Sequence, residues 1–319
     1  MMAIQIAIID YPESLKTATY GFIEMFQLAN RIIIDQHLSY HFESTIIQVP
    51  APDINPALNL QFDIILLPPS NQSSYYLQPD LNLIGWLSNQ HKNGAIISAA
   101  CAGVFILAET QLLKKRSVTT HWALSQLFKQ HHPDIPLDSD KILINHRDVI
   151  TAGGMMSWLD LGFEIVSQYS HPHVMRQLGK MMVVDTGQRE QRYYQQFSPI
   201  FNHGDSDILS IQKMLQTDFS QRFTIRNLAN QCCLTERTFL RRFIKATQQK
   251  PTQYIQRLRI QHACHLLETS TQSFEWVAHS VGYEDVSACR KVFINIMGLT
   301  PSEFRQRFHI NHSVNASLK

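Results

Sequence analysis

Two segments in the C-terminal part of the chain share one pattern, and they constrain its fold more than any other feature. The first, residues 224–246, is TIRNLANQCCLTERTFLRRFIKA, and the second, residues 273–296, is SFEWVAHSVGYEDVSACRKVFINI. In each, an alanine (Ala229 or Ala278) is predicted to open a short helix, and a turn follows it. A polar start signal, at Thr235 or at Glu284–Asp285, then begins a second helix that closes on a phenylalanine. The pattern recurs after about fifty residues, so the sequence predicts a repeated helix-turn-helix unit.

The charge of the chain divides along its length. Residues 1–204 carry 13 Lys and Arg against 17 Asp and Glu, a net charge of −4, whereas residues 205–310 carry 14 against 9, a net charge of +5. A basic segment beside a neutral-to-acidic body is expected if only the C-terminal part meets phosphate. The 319 residues are enough for two or three domains.

Several classes of protein are disfavoured by simple features. The five cysteines show no CxxC spacing, which argues against a zinc site and a secreted disulfide framework. The start, MMAIQIAIIDYP, lacks the basic region of a signal peptide and predicts a first strand. No apolar run is long enough to span a bilayer. We therefore expect a cytoplasmic protein with no membrane partner, no metal and no other cofactor.

The N-terminal part alternates between two periodicities. Strand patterns occupy residues 3–9, 42–49, 62–67, 94–100, 141–144 and 149–151, and helical patterns occupy 17–34, 81–92, 104–109, 119–128 and 157–169. This order predicts an α/β domain with a mostly parallel sheet covered by helices on both faces. We place it at residues 1–185, followed by a linker at 186–206, an all-α domain at 207–310 and a tail at 311–319. Aromatic residues of the linker are expected to pack on one domain or the other.

A cysteine stands at a tight strand-to-helix turn. Ser98-Ala-Ala-Cys101-Ala-Gly103 has the small residues that the strained backbone of a nucleophile elbow needs. A thiol at a helix N-terminus is also expected to favour the thiolate. The alternative is a buried cysteine that only packs there, and the turn alone does not separate the two.

This part of the chain resembles a known family. GAIISAACAGVFILAETQLLKKRSVTTHW (94–122) and TAGGMMSWLDLGFEIV (151–166) are similar to the class I glutamine-amidotransferase-like domain of PfpI type, in the version that is fused to AraC-type DNA-binding domains. The resemblance implies a flavodoxin-like sheet, a small-molecule effector and a homodimer.

The sequence departs from the hydrolases of that family. The residue after the cysteine, often a histidine, is Ala102, and the carboxylate that contacts the thiol would fall near Ala18, with Glu24 as a weaker substitute. Pro69 lacks an N–H in the loop that would form the oxyanion site. A thiolate without a base or an orienting acid lacks what nucleophilic catalysis needs. We therefore expect a ligand pocket and no enzyme.

Five residues are candidates for that pocket. Amides of Ser70 and Ala102 could donate to a ligand beside Cys101. His121 could act as a base, or it could shape a helix start or a pocket wall. Asp160 could orient a polar ligand or cap internal hydrogen bonds. The predicted ligand-binding set is Cys101, Ala102, His121, Ser70 and Asp160.

The C-terminal part resembles AraC/XylS-type DNA-binding domains over its full length. The similarity includes RLRIQHACHLL on a long connecting helix, VGYED in the second unit and MGLTPSEFR near the end. Mapped onto this sequence, the family pattern assigns DNA binding to Arg237, Thr238, Arg241, Arg242, Ser287, Arg290 and Lys291. Each basic side chain could contact a guanine edge or a phosphate. Leu240 and Val286 could contact thymine methyls or pack inward.

The two units differ in their turns and their charge. Cys233 stands where the second unit has Gly282, which predicts either a turn that stays at negative φ or mild strain. A redox role for Cys232-Cys233 is a further alternative, whereas Cys264 and Cys289 are expected in the core. The first reading helix is the more basic, so we expect the first unit to hold DNA harder.

The resemblance favours a sequence-specific transcriptional regulator whose N-terminal domain senses a small metabolite. Its expected partners are double-stranded promoter DNA, the effector and a second copy of the chain, with RNA polymerase as a further candidate. The alternative is a Cys101-dependent hydrolase or hydratase fused to a DNA-binding domain.

Overall fold

The computed structural model describes residues 2–49, 60–187 and 189–309. The chain forms two compact units, Met1–Gln191 and Arg192–Lys319. The predicted tail at 311–319 lies outside the described residues, and the exact domain bounds stay predictions. None of the described helices is both long enough and apolar enough to cross a membrane.

The first unit is built on a six-stranded sheet. In chain order its strands are β1 (Met2–Asp10), β2 (Tyr40–Gln48), β3 (Ile64–Leu67), β4 (Ile96–Ala100), β5 (Leu143–Asn145) and β6 (Val149–Ala152). The spatial order is β2-β1-β3-β4-β6-β5, and only the β5–β6 pairing is antiparallel. The prediction of a mostly parallel, flavodoxin-like sheet is confirmed. Its strand order reverses between β1 and β3, and ligands of such sheets bind outside the carboxyl ends of the strands at such a point.

Helices cover both faces of this sheet, as predicted. They are α1 (Lys16–Asp35), α2 (Ser74–Leu77), α3 (Leu81–Lys92), α4 (Gly103–Glu109), α5 (Ser125–His131), α6 (Trp158–Tyr169) and α7 (Pro172–Met182). One core packs α3 and α4 on the sheet around Trp86 and Phe105, and the other packs α1 and α6 around Phe22 and Trp158. The helix expected from residue 119 begins later, with a 3₁₀ turn at Trp122–Leu124 before α5.

The second unit is all helical. Its helices are α8 (Ser206–Thr217), α9 (Ile225–Gln231), α10 (Glu236–Thr247), α11 (Pro251–Thr269), α12 (Phe274–Ser280), α13 (Val286–Met297) and α14 (Pro301–Phe308). Two separate cores form, one around α9 and α10 and one around α12 and α13. The long helix α11 serves both, because its N-terminal half packs in the first core and its C-terminal half in the second. Cys264 and Cys289 are buried in the second core, as predicted.

Side-chain caps fix where the four helices of the repeated units begin. Thr224 and Thr235 accept backbone N–H bonds at the starts of α9 and α10, and Ser273 and Asp285 do so for α12 and α13. A helix N-terminus leaves N–H groups unpaired, and Ser, Thr and Asp are the side chains that satisfy them. The start signals predicted at Thr235 and at Glu284–Asp285 are therefore confirmed. The prediction that alanines open α9 and α12 is wrong, because the caps start these helices at Ile225 and Phe274.

Several residues of the segment predicted as a linker pack within the compact unit to which they belong. Gln191 is buried in the first unit. In the second unit, Tyr194 packs edge-on against Phe308 and Phe197 packs edge-on against Tyr254. The backbone N–H of Phe197 also donates to Gln261 at 2.8 Å. These aromatic residues pack on a folded unit, as the sequence suggested.

Candidate nucleic-acid interface and cysteine turn

Cys101 lies in the strained turn that the sequence predicted. Its φ is 54°, in the left-handed region that side chains other than glycine rarely adopt. Two hydrogen bonds hold the turn: the Cys101 N–H donates to the Ala152 carbonyl at 2.7 Å, and the Thr120 hydroxyl donates to the Cys101 carbonyl at 2.7 Å. The surrounding structure therefore imposes this conformation, which is how strain persists at functional sites.

The loop after β3 packs directly against this turn. A Cβ added at Gly103 would lie 2.7 Å from the Leu67 carbonyl oxygen and 2.8 Å from that of Pro68. The Tyr11 hydroxyl donates to the Pro68 carbonyl at 2.5 Å, which joins the end of β1 to the same loop. The carboxyl ends of β1, β3 and β4 thus meet around Cys101.

The environment of Cys101 favours the thiol and not the thiolate. The residue is 2% exposed, and burial raises the pKa of its thiol to about 12, although a hydrogen bond from the Ala102 amide acts in the opposite direction. Desolvation of a fully buried charge shifts a pKa by several units, which exceeds what one helix terminus returns. The expectation that the helix N-terminus would favour thiolate is therefore wrong.

An acidic residue lies beside the loop after β3, at a position that the sequence pattern did not indicate. Glu13 follows β1 with a φ of 68° and accepts a hydrogen bond from the Ser74 hydroxyl at 2.5 Å. Burial is the largest cause that raises the pKa of Tyr76, and its neighbours Cys101 and Glu13 also raise it, so Tyr76 lies close to both residues. Ala18, where the carboxylate was expected, belongs to the core on the opposite face of the sheet, and Glu24 is exposed.

The other polar candidates already have partners. The Ser70 hydroxyl donates to the carbonyls of Glu13 at 3.0 Å and Gln72 at 2.9 Å. The His121 Nδ1 accepts from the Ala123 N–H at 3.1 Å at the start of the 3₁₀ turn, and burial lowers the pKa of this histidine. His121 therefore shapes a helix start, which is one of the two roles left open. Its Nδ1 acts there as an acceptor, as neutral imidazole allows.

Gln191 reaches this region from the end of the first unit. Its Nε2 lies 2.9 Å from the carbonyls of both Thr120 and Lys141, and its Oε1 accepts from the Trp122 N–H at 3.2 Å. A Cβ at Gly153 would lie 1.8 Å from the Gln191 Nε2, so the glycine makes room for it. No local pattern indicates these contacts, because they join residues far apart in the chain to a segment predicted as linker.

Asp160 lies apart from the cysteine turn. Its carboxylate pairs with the guanidinium of Arg189 at 3.0 and 2.6 Å. Both line a cavity of about 370 Å³ with Lys141, Glu164 and Glu190, and none of the other predicted ligand residues is among its described lining. The structure therefore groups Cys101, Ala102 and Ser70 at one edge of the sheet and places Asp160 in a separate, charged cavity.

The turns of the two repeated units have the same geometry. Cys233 has a φ of 53° and Gly282 has a φ of 85°, so both turns pass through the left-handed region. Of the two alternatives for Cys233, a turn at negative φ is wrong and mild strain is correct. Cys233 is exposed, and none of the five cysteines is in a disulfide.

Most predicted DNA-binding side chains lie on exposed helix surface. Arg237 and Arg241 are exposed one turn apart on α10, and Thr238 beside them is half-buried. On α13, Ser287, Arg290 and Lys291 are exposed, and the Arg290 guanidinium lies 5.1 Å from the centre of the Phe274 ring. Val286 packs against the second core, whereas Leu240 is half-buried. Each unit thus presents one polar, basic face of its second helix.

Arg242 differs from the other predicted residues. Its guanidinium donates to Asp205 at 2.8 and 2.6 Å and to Asp207 at 2.8 Å, which joins α10 to the start of α8. These hydrogen bonds raise the pKa of Arg242, and in return Arg242 holds the pKa of Asp205 below its usual range. The guanidinium of Arg242 is therefore already hydrogen-bonded to two carboxylates.

Fold and site together define a class of protein: a parallel α/β domain with a buried cysteine turn, followed by two helix-turn-helix units with basic outer helices. Comparison with known proteins makes the class specific. The sequence profile of the DJ-1/PfpI family matches residues 31–168, and that of a helix-turn-helix domain matches residues 228–307. The chain thus combines a DJ-1/PfpI domain with an AraC-type helix-turn-helix domain, and its curated relatives are regulators.

Two such relatives come from Pseudomonas aeruginosa. The MmsAB operon regulatory protein is 34% identical over 33% of this chain and 34% of its own length. The HTH-type transcriptional regulator CdhR is 24% identical over 70% of this chain and 66% of its own length. The match therefore spans between one third and two thirds of these relatives. Among solved structures, a putative transcriptional regulator from Vibrio parahaemolyticus aligns with 57% of this chain and 99% of its own, with 18% identity and a TM-score of 0.46.

Proposed function

We propose that this protein is a sequence-specific DNA-binding transcriptional regulator that acts on promoter DNA in the cytoplasm. The observation that carries the proposal is the pair of helix-turn-helix units, which share one turn geometry and each expose a polar, basic helix. Two such helices about one helical turn apart fit adjacent major-groove segments on one face of a duplex. The regulatory function of the relatives supports the same conclusion.

The side chains have different tasks in this proposal. Arg237 and Arg241 on α10 and Arg290 on α13 are the candidates for bidentate contacts to guanine, and Thr238, Ser287 and Lys291 complete the surface. Arg242 has a positioning task, because Asp205 and Asp207 hold its guanidinium. Removing Arg242 would change how α10 packs against the start of α8, and it would not remove a base contact.

DNA binding is tested with the full chain on duplexes selected from a random-sequence pool. Arg241→Ala or Arg290→Ala is expected to weaken binding to the selected duplex by about 1–3 kcal/mol and to relax the preference at one base position. Lys213→Ala removes one positive charge from the exposed surface of α8 and serves as the matched control. Equal weakening on selected and scrambled duplexes would assign both arginines to phosphate, and a chain without any sequence preference would end the proposal.

The DJ-1/PfpI domain is proposed to bind the effector and to form the homodimer. The carboxyl edge around Cys101, Ala102, Ser70 and His121 supports this, because it adjoins the point where the strand order reverses. Asp160 with Arg189 offers a second, charged subsite. RNA polymerase is the partner proposed for the bound regulator.

Effector binding is tested by thermal shift of the full chain against free amino acids and quaternary ammonium compounds. A ligand held at the cysteine edge should stabilise the wild-type chain, and Cys101→Ala should change that shift more than Asp160→Asn does. The reverse order would place the ligand in the cavity of Asp160. A chain that no panel compound stabilises, while DNA binding persists, would count against these two ligand classes.

We propose that the domain is not an enzyme. The buried thiol with its pKa near 12 supports this, because the thiolate is the nucleophile. A Cys101-dependent hydrolase or hydratase is the second candidate, and the strained turn with Glu13 nearby favours it. Cys101→Ala separates the two candidates. In a non-catalytic regulator the variant keeps its DNA binding, whereas in a Cys101-dependent enzyme the variant loses turnover of its substrate. Thiol-dependent hydrolysis of any compound in an amide panel would overturn the non-enzyme proposal.

A further inference from the structure

One arginine of the connecting helix joins two turns that are far apart in the sequence. From α11, Arg259 donates through Nε to the Phe219 carbonyl at 2.8 Å and through Nη2 to the Gln221 carbonyl at 2.6 Å. Its Nη1 donates to the Gly282 carbonyl at 2.8 Å. Phe219 and Gln221 lie just before the first helix-turn-helix unit, whereas Gly282 is the turn residue of the second. A single planar group therefore joins the loop before the first helix-turn-helix unit to the turn of the second.

The chemistry of this joint requires a guanidinium. The Arg259 side chain also lies over the Tyr283 ring, 5.4 Å from its centre, and burial lowers its pKa. Hydrogen bonds to three carbonyls and an aromatic face take the place of water around the charge. A guanidinium presents its donors in a fixed planar fork, whereas the ammonium of lysine is one compact point charge that cannot reach three separate acceptors in this way.

Around Arg259, the second helix-turn-helix unit packs closely against the loop that precedes the first. A Cβ at Gly282 would lie 2.1 Å from the Ser220 carbonyl oxygen, so the second turn touches the backbone of the preceding loop. Phe219 packs against both cores and stacks on His262 with 3.7 Å between ring centres. Along α11, Leu258 belongs to the first core and Ile260 to the second, so Arg259 stands at the boundary between them.

We propose that Arg259 fixes the distance and angle between the two reading helices, and thereby sets the spacing between the two DNA segments that the chain recognises. This rests on the proposed DNA-binding function. Without the arginine, α11 still connects the units, but the loop at Phe219–Gln221 and the turn at Gly282 lose their shared donor. The two units can then tilt against each other. Arg259 is a positioning residue, because it specifies spacing without touching a base.

The test uses a duplex selected from a random pool by the full wild-type chain, with both recognised segments located by footprinting. One base pair is then inserted or deleted between the segments, which moves one segment by about 3.4 Å and roughly a tenth of a turn. Wild-type binding should fall at least about tenfold on either change, whereas Arg259→Ala should discriminate by less than about threefold. Arg257→Ala, which removes the same charge from an exposed position of α11, should behave as wild type.

Arg259→Lys keeps the charge and decides the matter if Arg259→Ala does not fold. A folded lysine variant should tolerate the shifted spacing better than wild type, whereas undiminished discrimination in a folded variant overturns the proposal. A wild-type chain that binds specifically but tolerates every spacing also overturns it, while leaving the proposed function intact. A wild-type chain with no specific binding instead removes the proposed function.

Discussion

The two helix-turn-helix units have the same backbone path but stabilise it in different ways. Both pass through the left-handed region twice, at the turn and after the second helix. The first unit uses Cys233 and Gln248 at these positions, with φ values of 53° and 59°, and the second uses Gly282 and Gly298, with 85° and 72°. The side chains of the first unit are exposed there, whereas a Cβ added to either glycine would lie 2.1 Å from a neighbouring atom.

The second helices differ in the same sense. At the position just before the closing phenylalanine, Arg242 of the first unit is ion-paired and Val292 of the second packs on the apolar core. At these positions, the first helix-turn-helix unit has strained backbone and an ion pair, whereas the second has glycines and apolar side chains in close packing. One fold can thus impose a backbone conformation either through neighbours that leave no room or in spite of an unfavourable residue.

Gly282→Ala should give the largest effect. The added Cβ would lie 2.1 Å from the Ser220 carbonyl oxygen and would also be strained at a φ of 85°, so we expect a loss of about 3 kcal/mol in the second core. Hydrogen exchange of α12 and α13 amides measures this locally. Gly204→Ala is the control, because its φ is 76° but nothing lies within 4 Å. Equal losses in both variants would mean that strain alone, and not contact with Ser220, explains the glycine.

The next effect concerns DNA. Removing Arg237 and Arg241 together should weaken binding more than removing Arg290 and Lys291, since Arg290 also rests on Phe274 and an aspartate caps the start of α13. Log affinity falls with log salt concentration, and every phosphate contact that a variant removes should make this slope less steep by about one. Titrations at several salt concentrations compare the two double variants. A larger decrease in affinity from the α13 pair would reverse the order predicted from charge.

Arg242→Val tests the ionic support of the first unit by giving it the residue of the second. Asp205 has a lowered pKa because Arg242 hydrogen-bonds its carboxylate. A depressed pKa contributes stability above the unfolded value near 4, and this stability is lost as the pH falls through the folded value. Wild-type α10 should therefore lose exchange protection below about pH 4, and Arg242→Val should flatten that dependence. An unchanged acid profile in the variant would show that the pair adds no stability.

The sequence predicted elements and their types well because apolar periodicity is local. It also predicted the strained turn at Cys101, since small residues flank it. It missed α7, although Pro172 and the buried pair Val174 and Leu178 are a start signal and a helical spacing. The remaining omissions have no local signal. Glu13 contacts the loop after β3 from a left-handed backbone position, and Arg259 has acceptors far along the chain.

Cys233→Gly and Gln248→Gly should give the smallest effect and the opposite sign. Glycine adopts positive φ without a steric cost, although it gives up more entropy on folding, so each change should stabilise the first unit by about 0.5–1 kcal/mol. Neither position is buried, so core packing is unaffected. Exchange protection of α9 and α10 measures the gain, and Lys245→Gly, at an exposed position inside α10, is the control that should destabilise. If glycine at residue 233 destabilised the unit, the thiol would contribute more to the turn than its exposure indicates, and the contrast between a strained and a close-packed unit would hold only at the second position.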